Sequence, residues 1–213
     1  KVLVLSVRVL NSHIDKGSIC DIKFKFNKNY LGLASSMTEV VLPQPVHFNH
    51  GYGVNLPLTV DELQYDGLQR KVELVIQTNL FMMECQLEEQ IPIHLLFEQK
   101  SAMQRTEFLQ LWMATGVDKQ CKIPVAKCKF DSDIQQLKGF LIRDEHKLNF
   151  IHHRTIANKG DILYYTCCIN GTVLLAEIAI ACTANKGAIT VKAADKFTAS
   201  VGANAIKLLV DTN

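Results

Sequence analysis

Over the first hundred residues the hydrophobic and polar positions alternate with period two. In VLVLSVRVL, which begins at Val2, Leu3, Leu5, Val7 and Val9 share one face while Ser6 and Arg8 take the other. That pattern predicts a strand with one buried side. Cys20, Ile22, Phe24 and Phe26 oppose Asp21, Lys23 and Lys25 in the same way. Further strands are expected at 54–60 (Val54, Leu56, Leu58, Val60), 72–78 and 91–97. The turn-forming stretches NHGYG and YDG, with Pro43 and Pro45, separate the segments. Short strands punctuated by turns, with no helical stretch among them, predict an immunoglobulin-like β-sandwich.

After about residue 100 the period lengthens. Thr106 is placed to cap a helix carrying Phe108, Leu109, Leu111 and Trp112, with Gly116 as its stop. DSDIQQLKGF (131–140) reads as a second short helix. Strands follow at 147–156 and 161–169, and Asn170-Gly171 makes a two-residue hairpin into 172–182. The turn NKG (185–187) leads to a strand at 188–193. A last helix starts at Asp195, with Phe197, Val201, Ala205, Leu208 and Leu209 on one stripe. The expected fold class is mixed β and α+β. A sandwich over 1–102 is followed by a platform subdomain over 103–213, an antiparallel sheet flanked by helices. No Gly/Ser/Pro-rich run separates the halves, so no flexible linker is expected.

Composition narrows the function more than the fold. With 213 residues, 48% hydrophobic, 21% charged and net charge +2, the chain offers no electrostatic ground for a nucleic-acid partner or a direct membrane surface. Residues 101–213 carry 14 Lys and Arg against 10 Asp and Glu. That mild excess suits acidic peptides, and equally a solvated face. The seven cysteines, at 20, 85, 121, 128, 167, 168 and 182, are odd in number and lack CxxC spacing. Reduced, mostly buried thiols in a cytosolic protein are expected. No signal peptide opens the chain, and Glu177 interrupts TVLLAEIAIACTA, its nearest approach to an apolar span.

Catalytic and metal chemistry find little support. The pairs His152-His153 and Cys167-Cys168 lie on predicted strands, where neighbours point to opposite faces and cannot chelate together. Cys121 and Cys128 do not have a zinc spacing. GxSxG, GxGxxG, P-loop and HExxH patterns are absent. No metal, cofactor or catalytic residue is expected, and binding remains. Trp112, four residues after Phe108, is either a core plug or the centre of a binding surface. Glu177 shares a face with Val173, Leu175 and Ala179, opposite the core face of Leu174, Ala176, Ile178 and Ile180. It is either a solvated acid or a fixed acceptor for a ligand's cation.

FNKNYLGL (26–33), IPIHLLF (91–97), FLQLWM (108–113), DILYY (161–165) and NGTVLLAEI (170–178) together resemble, in order, the C-terminal appendage, or ear, of the beta-adaptins. These are large subunits of heterotetrameric clathrin adaptor complexes. The resemblance implies a sandwich joined to a helix-and-sheet platform, with a further family strand before residue 2. It implies a platform groove that binds short helical motifs of accessory and cargo-adaptor proteins: acidic residues, then Phe and Leu anchors, then Arg. It also implies recruitment of clathrin, attachment to other adaptor subunits through a trunk, and a cytoplasmic, peripheral place on coated pits and vesicles at the plasma membrane or at Golgi and endosomal membranes. By motif the groove residues are Trp112, Arg105, Tyr164, Glu177 and Arg154, the indole pointing outward from a helix that buries Phe108, Leu109 and Leu111. At the rim, Gln120 stands where the family has a glutamate and Met113 where it has a lysine. In FMMEC (81–85), Met82 stands at the tyrosine of the family's second, sandwich side site, so that site is expected to be weak. Two alternatives remain open: an appendage of another coat, such as gamma-coatomer, and a cytosolic thiol enzyme.

Overall fold

The structure is a computed structural model and describes residues 3–12, 17–26, 33–35, 40–60, 72–80, 82–87, 93–99, 102–181 and 185–211. The chain divides into two compact units, Lys1–Ile91 and Pro92–Asn213.

In the first unit, β1 (Leu3–Leu10) pairs antiparallel with β5 (Gly51–Val60), which also pairs with β3 (Leu33–Ser35). A second sheet has the order β4 (Val40–Val41), β2 (Lys23–Phe26), β6 (Val72–Gln77), β7 (Met82–Leu87). Alternation along the strands decides what lies between the sheets. The register sets Leu5 opposite Leu56, Val7 opposite Val54 and Val9 opposite Tyr52. These pack on Phe24 of β2 and on Ile22 just before it, with Ile19, Leu42 and Val46 closing the core. The result is the expected sandwich. The YDG turn and most of FNKNYLGL lie outside the described residues.

The strand expected at 91–97 is not there. Ile93–Leu96 forms a single 3-10 turn, and only Phe97–Glu98 (β8) is extended. β8 pairs with Cys168 and Ile169 of the second unit's sheet, where Phe97 is fully buried. A short apolar run that contains a proline does not distinguish strand from buried turn.

The second unit is built on an antiparallel sheet ordered β10 (Asn149–Ile156), β11 (Gly160–Ile169), β12 (Thr172–Ala181), β13 (Gly187–Lys192), β9 (Gln120–Val125). The β11–β12 hairpin turns on Asn170 and Gly171, with φ of 48° and 75°. Both lie in the left-handed region, as a tight twisted hairpin requires. One sheet face carries Leu174, Ala176, Ile178, Ile189 and Val191, all fully buried. The helix α3 (Lys196–Val210) lies on this face. Gly202 lets it approach closely, since a Cβ there would meet Leu174 Cδ1 at 2.8 Å. Asp195 caps α3, its Oδ1 accepting from the Thr198 backbone at 2.8 Å.

The shorter helix α2 (Ile134–Leu141) starts later than 131, because Lys129–Ser132 forms a separate 3-10 turn and Asp133 is the cap. Lys138 of α2 sits over Phe150, which meets Tyr165 edge-on, so α2 shares α3's side of the sheet.

The helix α1 (Arg105–Ala114) occupies the opposite face, and three expectations about it are corrected. Its N-cap is Gln104, which makes no side-chain cap bond, so Thr106 lies inside the first turn rather than capping it. Gly116 has φ of −64° and is no left-handed stop. The end is closed instead by Thr115, whose N and Oγ1 both donate to the Leu111 carbonyl, at 2.9 and 2.8 Å. Only Phe108 of α1 is buried, while Leu109 and Leu111 are 44% and 39% exposed. A ten-residue helix touches a sheet along one stripe of its surface, and these two leucines fall outside that stripe.

Candidate functional site

The face beneath α1 carries the odd-numbered residues of β12. Leu175 is buried there with Met103 and Phe108, and Trp112, Tyr164, Ile151 and Val173 pack around them half-exposed. Three rings form a continuous wall. Phe108 and Trp112 stack with centroids 5.6 Å apart and planes 17° apart. Tyr164 meets Phe108 edge-on at 5.6 Å and Trp112 edge-on at 6.5 Å. His152, on β10, stacks on Tyr164 at 6.4 Å with planes 8° apart. The spacing of Phe108 and Trp112, one helical turn, brings their rings together. The pairing of β10, β11 and β12 does the rest.

That pairing also sets a polar row beside the rings. His152 lies opposite Tyr164, Tyr164 opposite Glu177, Glu177 opposite Thr190, and Thr190 opposite Lys122. Tyr164 and Glu177 face each other across the β11–β12 ladder, within electrostatic reach. Burial, then the Glu177 carboxylate, raises the tyrosine pKa, while the charges of Arg154 and Arg105 work against the rise. Burial holds the His152 pKa below its ordinary value, and the positive charges of Arg105 and His153 add to the effect. His152 is therefore neutral at physiological pH. The site has one carboxylate among aromatic rings with two guanidiniums within electrostatic reach, an arrangement that can hold a ligand carrying charges of both signs.

Five of the expected site residues thus share one face: Trp112, Tyr164, Glu177, Arg105 and Arg154. Trp112 belongs to both descriptions left open, since it packs on a buried cluster and stays half-exposed. Gln120 opens β9 opposite Lys192, at one edge of this face. Met113 is 82% exposed on the outer side of α1. Met82 belongs to the first unit, where it opens β7 opposite Gln77, and its side chain lies outside what the structure describes.

Two contributors escaped the sequence reading. His152 enters the sequence reading only for catalytic or metal chemistry, not as part of an aromatic surface. Lys192 ends a strand, GAITVK, that holds no other charged residue, and a lysine in such a position is itself a signal. The adjacent pairs do point apart, with His152 on Tyr164 and His153 Nε2 2.7 Å from Asp161 Oδ1. Among the described residues no three His, Cys, Asp or Glu side chains come together as a metal site. No described helix is long and apolar enough to cross a membrane. Cys167 is fully buried, and burial with Cys168 beside it pushes its thiol well above the ordinary range, the reverse of an activated nucleophile.

A family model described as the beta2-adaptin appendage, C-terminal sub-domain, matches residues 98–210, just over half of the chain. The match starts at the last residue of β8 and contains α1, α2, α3 and the whole five-strand path of the second unit's sheet.

Proposed function

The chain belongs to the beta2-adaptin appendage family, and on that premise we propose that the face beside α1 is a groove for short amphipathic helices. The family is one of protein-interaction modules of clathrin adaptors and not of enzymes. Within it, the observation that carries the reading is the pair of partly exposed rings, Trp112 and Tyr164, seated on buried Phe108 and ending at Glu177. Such a surface accepts Phe and Leu anchors spaced at helical intervals along the ligand. Glu177 takes the ligand's terminal Arg, and Arg105 and Arg154 face its acidic residues.

The ligands are accessory and cargo-adaptor proteins, and with clathrin they would be gathered at coated pits or vesicles. Other adaptor subunits attach through the trunk, and contact with membrane is indirect. A single motif binds at roughly micromolar affinity, near −8 kcal/mol, and many appendages on one coat supply avidity. Gln120 and Met113, in place of a glutamate and a lysine, remove one charge of each sign from the rim. Ligand choice then rests more on the apolar anchors. Met82 leaves the sandwich with at most a weak second site.

The test is Trp112→Ala with a helical F-x-x-L-x-x-x-R peptide, measured by calorimetry beside thermal melting. A central aromatic anchor loses about 2 kcal/mol or more on truncation, some thirtyfold in affinity, and the fold should persist. A core plug would instead lose about 3–5 kcal/mol of stability. A variant that melts far below wild type, yet still binds the peptide while folded, would sink the proposal.

A further inference from the structure

Lys192 is 8% exposed at the end of β13, and a buried ammonium needs partners for its protons. It has them. Its Nζ donates to the backbone carbonyls of Trp112 and Thr115, each at 2.8 Å. The same nitrogen lies 4.9 Å from the centre of the Trp112 ring. The last carbonyls of a helix have no partner within it, and the negative end of the helix dipole favours a cation there. The electron-rich face of an indole favours a cation too. One ammonium therefore engages both the backbone oxygen and the ring of a single residue, from a strand 80 positions away.

The surroundings make this contact more than a cap. A cleft of about 420 Å³ runs along the flank of α1 on this side, lined in part by Leu111, Thr115, Val173, Leu175, Lys192 and Ala193. Leu175 and Val173 line the cleft beneath the helix, and Lys192 closes on the helix at its C-terminal end. On its other side the indole rests on Phe108 and Tyr164.

We propose that Lys192 is a positioning residue for the groove, holding α1 and the Trp112 indole in the orientation that a ligand's anchors meet. The proposal rests on Trp112 being the groove's central residue. Holding the ring in place before the ligand arrives removes the cost of ordering it on binding.

Trp112 is the only tryptophan of the chain, so fluorescence excited at the red edge of absorption, beyond the tyrosines, reports on this ring alone. Lys192→Met keeps the length and apolar stem of the side chain and removes the cation. Its indole should become more accessible to acrylamide quenching, lose near-ultraviolet circular dichroism, and bind the F-x-x-L-x-x-x-R peptide about tenfold more weakly. Lys192→Arg should recover most of all three signals. Lys192→Gln, which keeps donors without charge, should behave as the Met variant does, and it replaces that variant if Met prevents folding. All are compared well below their melting temperatures, where a loss of global stability alone leaves native-state quenching unchanged. Wild-type quenching in the Met and Gln variants overturns the proposal. So does weakened binding with an unchanged indole signal, because Lys192 would then touch the ligand itself. If the wild-type protein does not bind the peptide, the groove reading fails, while the ligand-free quenching comparison still decides whether the lysine holds the ring.

Discussion

α3 and α1 lie on opposite faces of one sheet, yet α3 buries nine of its fifteen residues and α1 buries one of ten. α3 is rich in Ala and Gly along its contact, which lets its backbone settle close to Leu174 and Val191. Its face is complete without a partner. α1 carries larger apolar side chains and covers them less well: Leu109 and Leu111 are partly exposed and Met113 almost wholly so. Its hold on the sheet comes from Phe108 at the centre and from Lys192 at the C-terminal end. The contrast separates a helix whose apolar surface is spent on folding from one whose apolar surface stays partly exposed. Exposed apolar residues that cluster beside fixed charges mark the second kind.

The largest effect should come from the buried side. Ile206→Ala removes a fully buried side chain of α3 and should lower stability by about 2–5 kcal/mol in chemical denaturation. Peptide affinity of the folded fraction should not change, and a loss of affinity would mean that the two faces are coupled. On the α1 face the order reverses. Glu177→Gln keeps the shape of the side chain and removes its charge. It should weaken only peptides that retain their terminal Arg, by about 1.5 kcal/mol or roughly tenfold. Equal weakening of an Arg-free peptide would remove the carboxylate from its assigned role.

A smaller effect sharpens the α3 side. The hydrogen bond from the Thr198 backbone holds the Asp195 carboxyl below its ordinary pKa. A depressed folded pKa contributes stability above the ordinary carboxylate pKa, and this is lost as pH falls through the folded value. Asp195→Ala should therefore cost about 1 kcal/mol at neutral pH. The gap from wild type should begin to close below about pH 4. A gap that stays constant into acid would show that the cap does not act through its charge. The smallest effect is expected at Leu109→Ala on α1, within about 0.5 kcal/mol in stability. A cost several times larger would place Leu109 in the core after all and erase the contrast between the helices.

The parts of this chain that were legible early are those set by neighbours in sequence. Period-two alternation named the inward residues of β1, β2 and β12, because a pleated strand sends successive side chains to opposite faces whatever surrounds it. Asn170-Gly171 announced its hairpin because few other pairs accept two positive φ angles. Asp195 announced the start of α3 because its side chain satisfies a backbone donor three residues on. The same local logic misled at Thr106 and Gly116: α1 begins at Gln104 without a side-chain cap and ends on Thr115, with Lys192 from a distant strand at its last carbonyls. It misled at 91–97 for a related reason: β8 is extended because β11 pairs with it.

The candidate site divides along the same line. The spacing of Phe108 and Trp112 guaranteed that they share a helical stripe, and the face of β12 that carries Glu177 followed from alternation alone. Whether that stripe would be covered or left half-open was not written in either segment. It depended on α1 being too short to cover the sheet and on β10 and β11 bringing His152, Arg154 and Tyr164 alongside. It depended also on a lysine 80 residues from the tryptophan. Periodicity orients a side chain relative to its own backbone. What lies opposite that side chain is set by contacts between distant segments, and only the assembled sheet decided it.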